Sequence, residues 1–169
     1  FNFQMRELHA DLSGRTALVT GGRVKIGHQL VLRLLRDGAK VLVTTRFPKA
    51  AAKRFFEEPD SKDWLHRLFL YGLDLRNIPE VERFAAHLLE TEPHLDILVH
   101  NAAQTIRRPN GFYTELMAQE AAPLALMPAA LRDAVKGEVV PPDQAEHGES
   151  TSLTAVNDVL PIDRYTDHE

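Results

Sequence analysis

Thr16-Ala17-Leu18-Val19-Thr20-Gly21-Gly22-Arg23-Val24-Lys25-Ile26-Gly27 decides the fold. It reads as a short strand, a glycine turn and the opening of a helix. Ala17 to Val19 is wholly apolar, so the strand expects cover on both faces, as a central parallel strand has. Gly21 and Gly22 let the backbone turn tightly and approach a ligand where a Cβ would block it. The unpaired N–H groups at the following helix start carry partial positive charge and form a natural seat for phosphate. Three glycines alone fit a plain strand-turn-helix as well as a nucleotide site.

Outward from the turn, Ile26, Leu30, Val31, Leu34 and Leu35 recur at helical spacing and predict a helix with one face on a sheet. Asp37-Gly38 ends it, with glycine at the expected C-terminal position. Lys40 to Thr45 is a second strand, rich in β-branched residues. Together these make a βαβ unit, which places the two strands parallel. A second helix is expected over Ala50–Glu58, and a third strand within Leu65–Leu75, closed by Asp74. Pro79 sits where a first helical turn tolerates proline. Val81, Phe84, Ala85, Leu88 and Leu89 then trace one helical face. Pro93 ends that helix, and Leu95–Val99 is a fourth strand running into His100-Asn101-Ala102-Ala103. Alternating strands and helices argue for an α/β fold: a Rossmann-type, doubly wound parallel sheet in three α/β/α layers. Beyond Asn110, helices are expected over 112–122 and 124–135, interrupted at Pro123 and Pro128.

The chain has 169 residues, 44% of them hydrophobic and 26% charged, as in an ordinary globular domain. No apolar run approaches the roughly 18 residues of a membrane span. Zero cysteines exclude disulfides, thiolate catalysis and Cys-ligated metal, and suit a cytoplasmic location. The net charge of −4 is uneven: residues 138–169 hold eight acids and only Arg164 as a base, a balance of −7. Residues 1–137, with 16 acids and 19 bases, balance at +3. The expected organisation is a dinucleotide-binding domain over 1–137 and a loosely ordered acidic tail over 138–169. A nucleic-acid protein would carry a denser basic stripe, so the weak excess points to a small anionic ligand.

Four stretches in order resemble the short-chain dehydrogenase/reductase family over roughly residues 11–105. Leu12–Thr20 is similar to its entry strand, and Thr20-Gly21-Gly22-Arg23-Val24-Lys25-Ile26-Gly27 to its T-G-x-x-x-G-x-G turn. Asp74-Leu75 resembles the acid-hydrophobic pair that contacts adenine in the family. Asp96-Ile-Leu-Val-His-Asn101-Ala102-Ala103 resembles its D-I-L-V-N-N-A-G segment. Lys25 departs from the family's middle glycine and is placed to meet a phosphate by charge, or else faces solvent. His100 and Ala103 replace an asparagine and a glycine, narrowing the space beside the cofactor. The resemblance implies a nicotinamide dinucleotide, a carbonyl or alcohol substrate and a homo-oligomer.

NAD sites commonly place a carboxylate at the end of the second strand. This chain has Thr44-Thr45-Arg46 there. Thr45 offers a hydroxyl and Arg46 a planar fork for a 2′-phosphate, with Arg23 as a second charge, so NADP is expected over NAD. The alternative makes Arg46 a surface cation near Lys49 and Lys53.

The resemblance also implies a Tyr-x-x-x-Lys pair for general acid–base catalysis. Tyr71, Tyr113 and Tyr165 are followed four residues on by Leu75, Met117 and Glu169, so no catalytic residue is assigned. The sequence is then expected to be the N-terminal, cofactor-binding portion of a longer oxidoreductase, its sheet incomplete at the C-terminus. The alternative is an inactive nucleotide-binding regulatory or interaction module. His87, His94 and His100 lack metal-ligand spacing, so no metal is expected. Arg107 and Arg108 read as a solvated loop, with attraction of an anionic substrate as the alternative, and the 124–131 apolar cluster as core or an assembly surface.

Overall fold

The computed structural model describes residues 8–103 and 110–136. The expected acidic tail, Tyr165, Arg107 and Arg108 lie outside the described residues. Among the described residues, four parallel strands, β1 (Thr16–Thr20), β2 (Lys40–Thr45), β3 (Leu68–Gly72) and β4 (Ile97–His100), form one sheet in the order β3-β2-β1-β4. β1 pairs with β2 from Thr16–Lys40 to Thr20–Thr44, and with β4 from Ala17–Ile97 to Thr20–His100. The strand order therefore reverses between β1 and β4, which opens a crevice at their carboxyl ends, the position where open α/β sheets bind ligands.

Alternation along the strands divides the core. Ala17, Val19, Val41, Val43 and Leu70 face one side, where α1 (Lys25–Arg36) contributes Val31, Leu32 and Leu35 and α2 (Pro48–Phe56) contributes Phe55. A short helix, α3 (Ser61–Trp64), adds Trp64, whose ring meets Phe55 edge-on at 6.3 Å. Leu18, Leu42 and Tyr71 face the other side, covered by Phe84 and Leu88 of α4 (Ile78–Thr91). The result is the three-layer arrangement expected from the alternating pattern.

Local chemistry sets the ends of these elements. Gly38 adopts φ +102°, and the Gly38 and Ala39 N–H groups donate to the Leu35 and Leu34 carbonyls, closing α1. Pro48 and Pro79 lie in the first turns of α2 and α4, where the missing N–H is tolerated. Asp96 fixes where β4 begins. Its carboxylate accepts the Thr16 N–H and an Arg15 N–H, both at 2.8 Å, while its own N–H donates to the Thr16 carbonyl.

Several expectations need correction. α2 runs over Pro48–Phe56 rather than 50–58, and β4 over Ile97–His100 rather than 95–99, while β3 lies within the expected 65–75. Ile26 does not pack on the sheet and is 77% exposed. The buried stripe of α1 runs through Gly27, Val31 and Leu34, and Ile26 lies about 100° to its flank. On α4, Ala85 and Leu89 are exposed, Leu89 by 86%, and only Val81, Phe84 and Leu88 of the expected face are half-covered. Periodicity identifies an apolar stripe, but α4 meets the sheet along one edge of it.

The stretch after Asn110 forms α5 (Thr114–Ala121), which follows a 3-10 turn over Asn110–Tyr113, and α6 (Ala129–Ala134), which starts only after Pro128; both are shorter than expected. It returns to the β3 edge. Leu131 and Val135 enter the core, Val135 bridges to Leu70, and the Lys136 N–H donates to the Leu70 carbonyl at 2.8 Å.

Asp96 makes the acid stability testable. The Thr16 N–H and Arg15 hold its carboxyl below the ordinary value. A depressed folded pKa stabilises fully above the unfolded value of about 3.9 and is lost as pH falls through the folded value. Urea midpoints for Asp96→Asn should therefore fall less steeply than those of the unaltered chain between about pH 4.5 and pH 2.5. Parallel acid profiles would contradict the assignment.

Candidate dinucleotide site

The crevice at the ends of β1 and β4 is built from backbone turned by three glycines. Gly21 adopts φ +71°, donates its N–H to the Thr44 carbonyl at 2.8 Å, and lies so close to Ala102 that a Cβ would sit 2.9 Å from its Cα. At Gly22 a Cβ would meet Val43 Cγ1 at 2.5 Å, so the turn lies directly on β2. At Gly27 a Cβ would lie 2.4 Å from both Asn101 Nδ2 and the Gly21 carbonyl oxygen. The three positions thus answer to three different obstacles: a chain conformation, a strand and a side chain.

Thr20 and Asn101 hold the crevice in shape. The Thr20 hydroxyl oxygen accepts the Asn101 and Ala102 N–H groups, each at 3.1 Å. Asn101 Nδ2 returns donors to the Thr20 and Gly21 carbonyls at 3.3 and 3.0 Å. Ala103 is exposed, its N–H donating to the Asn101 carbonyl. α1 then starts at Lys25 with no side-chain cap at Val24 and no acid in its first turn. A helix start without a side-chain cap or an acid in its first turn favours an anion.

Lys25 occupies φ 55°, the left-handed region that glycine favours. The turn therefore carries a side chain in a conformation that favours glycine. Lys25 and Ile26 are both exposed and line an open groove with Gln29 and Arg54.

Beside the turn, Arg23 and Arg46 gather on one aromatic ring. Their guanidinium carbons each lie 5.4 Å from the centroid of Phe47. Arg46 also lies 4.9 Å from the ring of Tyr113, which stacks on Phe47 at 5.7 Å and 20°. Burial pushes the Arg23 pKa down, and the nearby charges of Arg54 and Arg46 push the same way. Like charges held together over π faces and short of solvent form a seat for a compact anion. Thr45 is buried, and its Oγ1 accepts the Phe47 N–H at 3.2 Å, so it shapes the bend into the arginine cluster.

Asp74 lies within the field of Arg46. Its carboxylate accepts the Arg76 Nε–H at 2.9 Å, and that pairing holds its pKa below the usual range. Leu75 beside it is 40% exposed.

The structure thus brings Thr20, Gly21, Gly22, Gly27, Asn101 and Ala102 into mutual contact, and sets Arg23, Arg46 and Asp74 along one flank. Lys25, Ile26 and Leu75 lie on the open side. The sequence reading missed Phe47, Tyr113 and Glu120. Phe47 follows Arg46 directly and was visible as a neighbouring aromatic. Tyr113 and Glu120 come from a segment about seventy residues later, with no local pattern tying them to β2.

A family model described as short chain dehydrogenase matches residues 15–124. A protein of Acanthamoeba polyphaga mimivirus, "Uncharacterized protein R665", is 40% identical over 62% of this chain and 24% of its own. "Dehydrogenase/reductase SDR family member 13" of Bos taurus is 39% identical over 55% of this chain and 24% of its own. A "Probable oxidoreductase" of Streptomyces antibioticus is 35% identical over 81% of this chain and 47% of its own. The chain thus spans about a quarter to a half of the length of these relatives.

Two substitutions test the reading of the turn by urea denaturation. Lys25→Gly relieves a left-handed strain of about 1–2 kcal/mol against about 0.5–1 kcal/mol of added unfolded-state entropy. It should leave stability unchanged or raise it by up to about 1.5 kcal/mol. Gly22→Ala should lower stability by about 1–3 kcal/mol, because its Cβ meets the buried Val43. A marked loss on Lys25→Gly would contradict the strained-turn account.

Proposed function

The chain belongs to the short chain dehydrogenase family, and we propose that it binds NADP in preference to NAD. In this reading it is the cofactor-binding portion of an oxidoreductase that moves hydride between nicotinamide and a carbonyl or alcohol. One observation carries the cofactor choice. Arg23 and Arg46 converge on Phe47 at the end of β2, where an NAD site would place a carboxylate.

The glycine turn fits a dinucleotide: at Gly21, Gly22 and Gly27 a Cβ would collide with Ala102, Val43 and Asn101, so only glycine lets the turn close this tightly beside the crevice. The uncapped start of α1, at Lys25, Ile26 and Gly27, receives the pyrophosphate charge, with the Lys25 ammonium close by. Arg23 and Arg46 hold the 2′-phosphate, and Thr45 fixes the bend that presents them. Asp74 and Leu75 lie by the adenine, as the resemblance implies. Asn101, Ala102 and Ala103 line the side of the crevice that leads to the nicotinamide. When bound, the cofactor supplies the hydride; these side chains bind and orient it.

A second reading rests on the tyrosines. None of Tyr71, Tyr113 and Tyr165 has a lysine four residues on. In that reading these residues act as a dinucleotide-binding regulatory or interaction module of cytoplasmic location.

Calorimetric titration of NADPH and NADH tests the cofactor choice. NADPH should bind more tightly, and Arg46→Ala should weaken NADPH by roughly 10- to 100-fold, the worth of a charge-assisted hydrogen bond. NADH affinity should change by less than about threefold, since its ribose presents no phosphate. Tighter NADH binding, or equal losses for both cofactors, would overturn the preference.

A further inference from the structure

The arginine flank is not open to solvent on all sides. Asn110–Tyr113 and α5 cross the start of α2 and lay two groups against it. Tyr113 stacks on Phe47 beneath the Arg46 guanidinium. Glu120, near the end of α5, places its carboxylate on the first turn of α2: one oxygen accepts the Lys49 N–H at 3.1 Å and the other the Ala50 N–H at 2.8 Å. The contact is reciprocal, because Lys49 Nζ donates to the Glu120 carbonyl at 2.6 Å and to the Ala122 carbonyl at 2.7 Å.

Glu120 is half-buried, and burial pushes its carboxyl pKa up against the pull of the Ala50 and Lys49 amides, Lys49 and Arg23. The same carboxylate favours the charged form of Arg23, opposing Arg54 and Arg46. An internal anion, fixed on the first turn of α2, therefore stands within the field of Arg23. A cap on α2 alone would need neither the Tyr113–Phe47 stack nor the interaction with Arg23. Both place the segment over the residues that the NADP reading uses.

We propose that residues 110–122 form an internal strap whose Glu120 carboxylate competes with the 2′-phosphate of the dinucleotide for the arginine flank. The inference rests on the NADP reading above. In consequence Glu120 is a specificity-determining residue. It weakens a ligand carrying a phosphate at the ribose 2′ position and leaves one without that phosphate nearly untouched. NADP binding then displaces the carboxylate from Lys49 and Ala50, and the strap shifts with it.

Glu120→Gln keeps the side-chain length and one acceptor oxygen but removes the charge. Calorimetry should show NADPH binding about tenfold tighter to this variant, with NADH within about threefold of the unaltered chain. In the unaltered chain, 15N-resolved NMR should show the Lys49 and Ala50 amides shifting on NADPH addition and staying put on NADH addition. That measurement holds even where the variant does not fold. An unchanged or weaker NADPH affinity in Glu120→Gln, with NADPH still preferred by the unaltered chain, overturns the strap and leaves the NADP reading standing. Unmoved Lys49 and Ala50 amides under saturating NADPH do the same. Binding of neither dinucleotide, or a preference for NADH in the unaltered chain, overturns both.

Discussion

The exchange of hydrogen bonds between Thr20 and Asn101 is the constraint on which the crevice depends. β1 and β4 are adjacent strands from distant parts of the chain, and at their carboxyl ends the ladder stops. There the Thr20 hydroxyl receives two N–H groups, and Asn101 Nδ2 reaches back to the Thr20 and Gly21 carbonyls. Backbone carbonyls at the end of a ladder need such donors, since a buried carbonyl left unpaired costs about 1–3 kcal/mol. The same side chain fills the space that a Cβ on Gly27 would need. Asn101 therefore both satisfies the turn and requires Gly27 to be glycine. At the opposite end of the same strand pair, Asp96 performs the matching task on Thr16 and Arg15. The sheet's reversal point is thus pinned at both ends by side chains from the β4 segment.

Charge is arranged around that frame with a clear polarity. The start of α1 offers uncapped N–H groups, while Arg23 and Arg46 supply full charges on the β2 side. Their mutual repulsion is tolerated because Phe47 and Tyr113 lie beneath them and Glu120 stands nearby. The start of α2 is occupied by a carboxylate from within the chain, whereas the start of α1 has no acid in its first turn.

Much of this was legible from the residues. β2 and the end of α1 fell where β-branched density and Asp37-Gly38 put them, because these signals are local. The glycines of the turn were legible as a group only together with the Asp74 and Asn101 segments, since three glycines alone fit a plain strand-turn-helix equally well. Their separate reasons were not, because Ala102, Val43 and Asn101 become neighbours only through the fold. Asn101 was read as a cofactor neighbour, yet its amide is engaged by the turn itself. Ile26 and Leu89 show the limit of periodicity: spacing assigns a residue to a stripe but says nothing of how deep its neighbour reaches. Glu120 and Tyr113 were out of reach for a different reason. Their contacts with Lys49, Ala50 and Phe47 span some seventy residues, and no motif encodes them.

The central claim is that the glycine turn and the arginine flank form one dinucleotide seat. A crystal structure of the chain grown with NADPH tests it most directly. The account predicts pyrophosphate density against the backbone of Gly21 to Gly27 and 2′-phosphate density against Arg23 and Arg46. Dinucleotide density elsewhere on the sheet, or a 2′-phosphate turned away from both arginines, would contradict it.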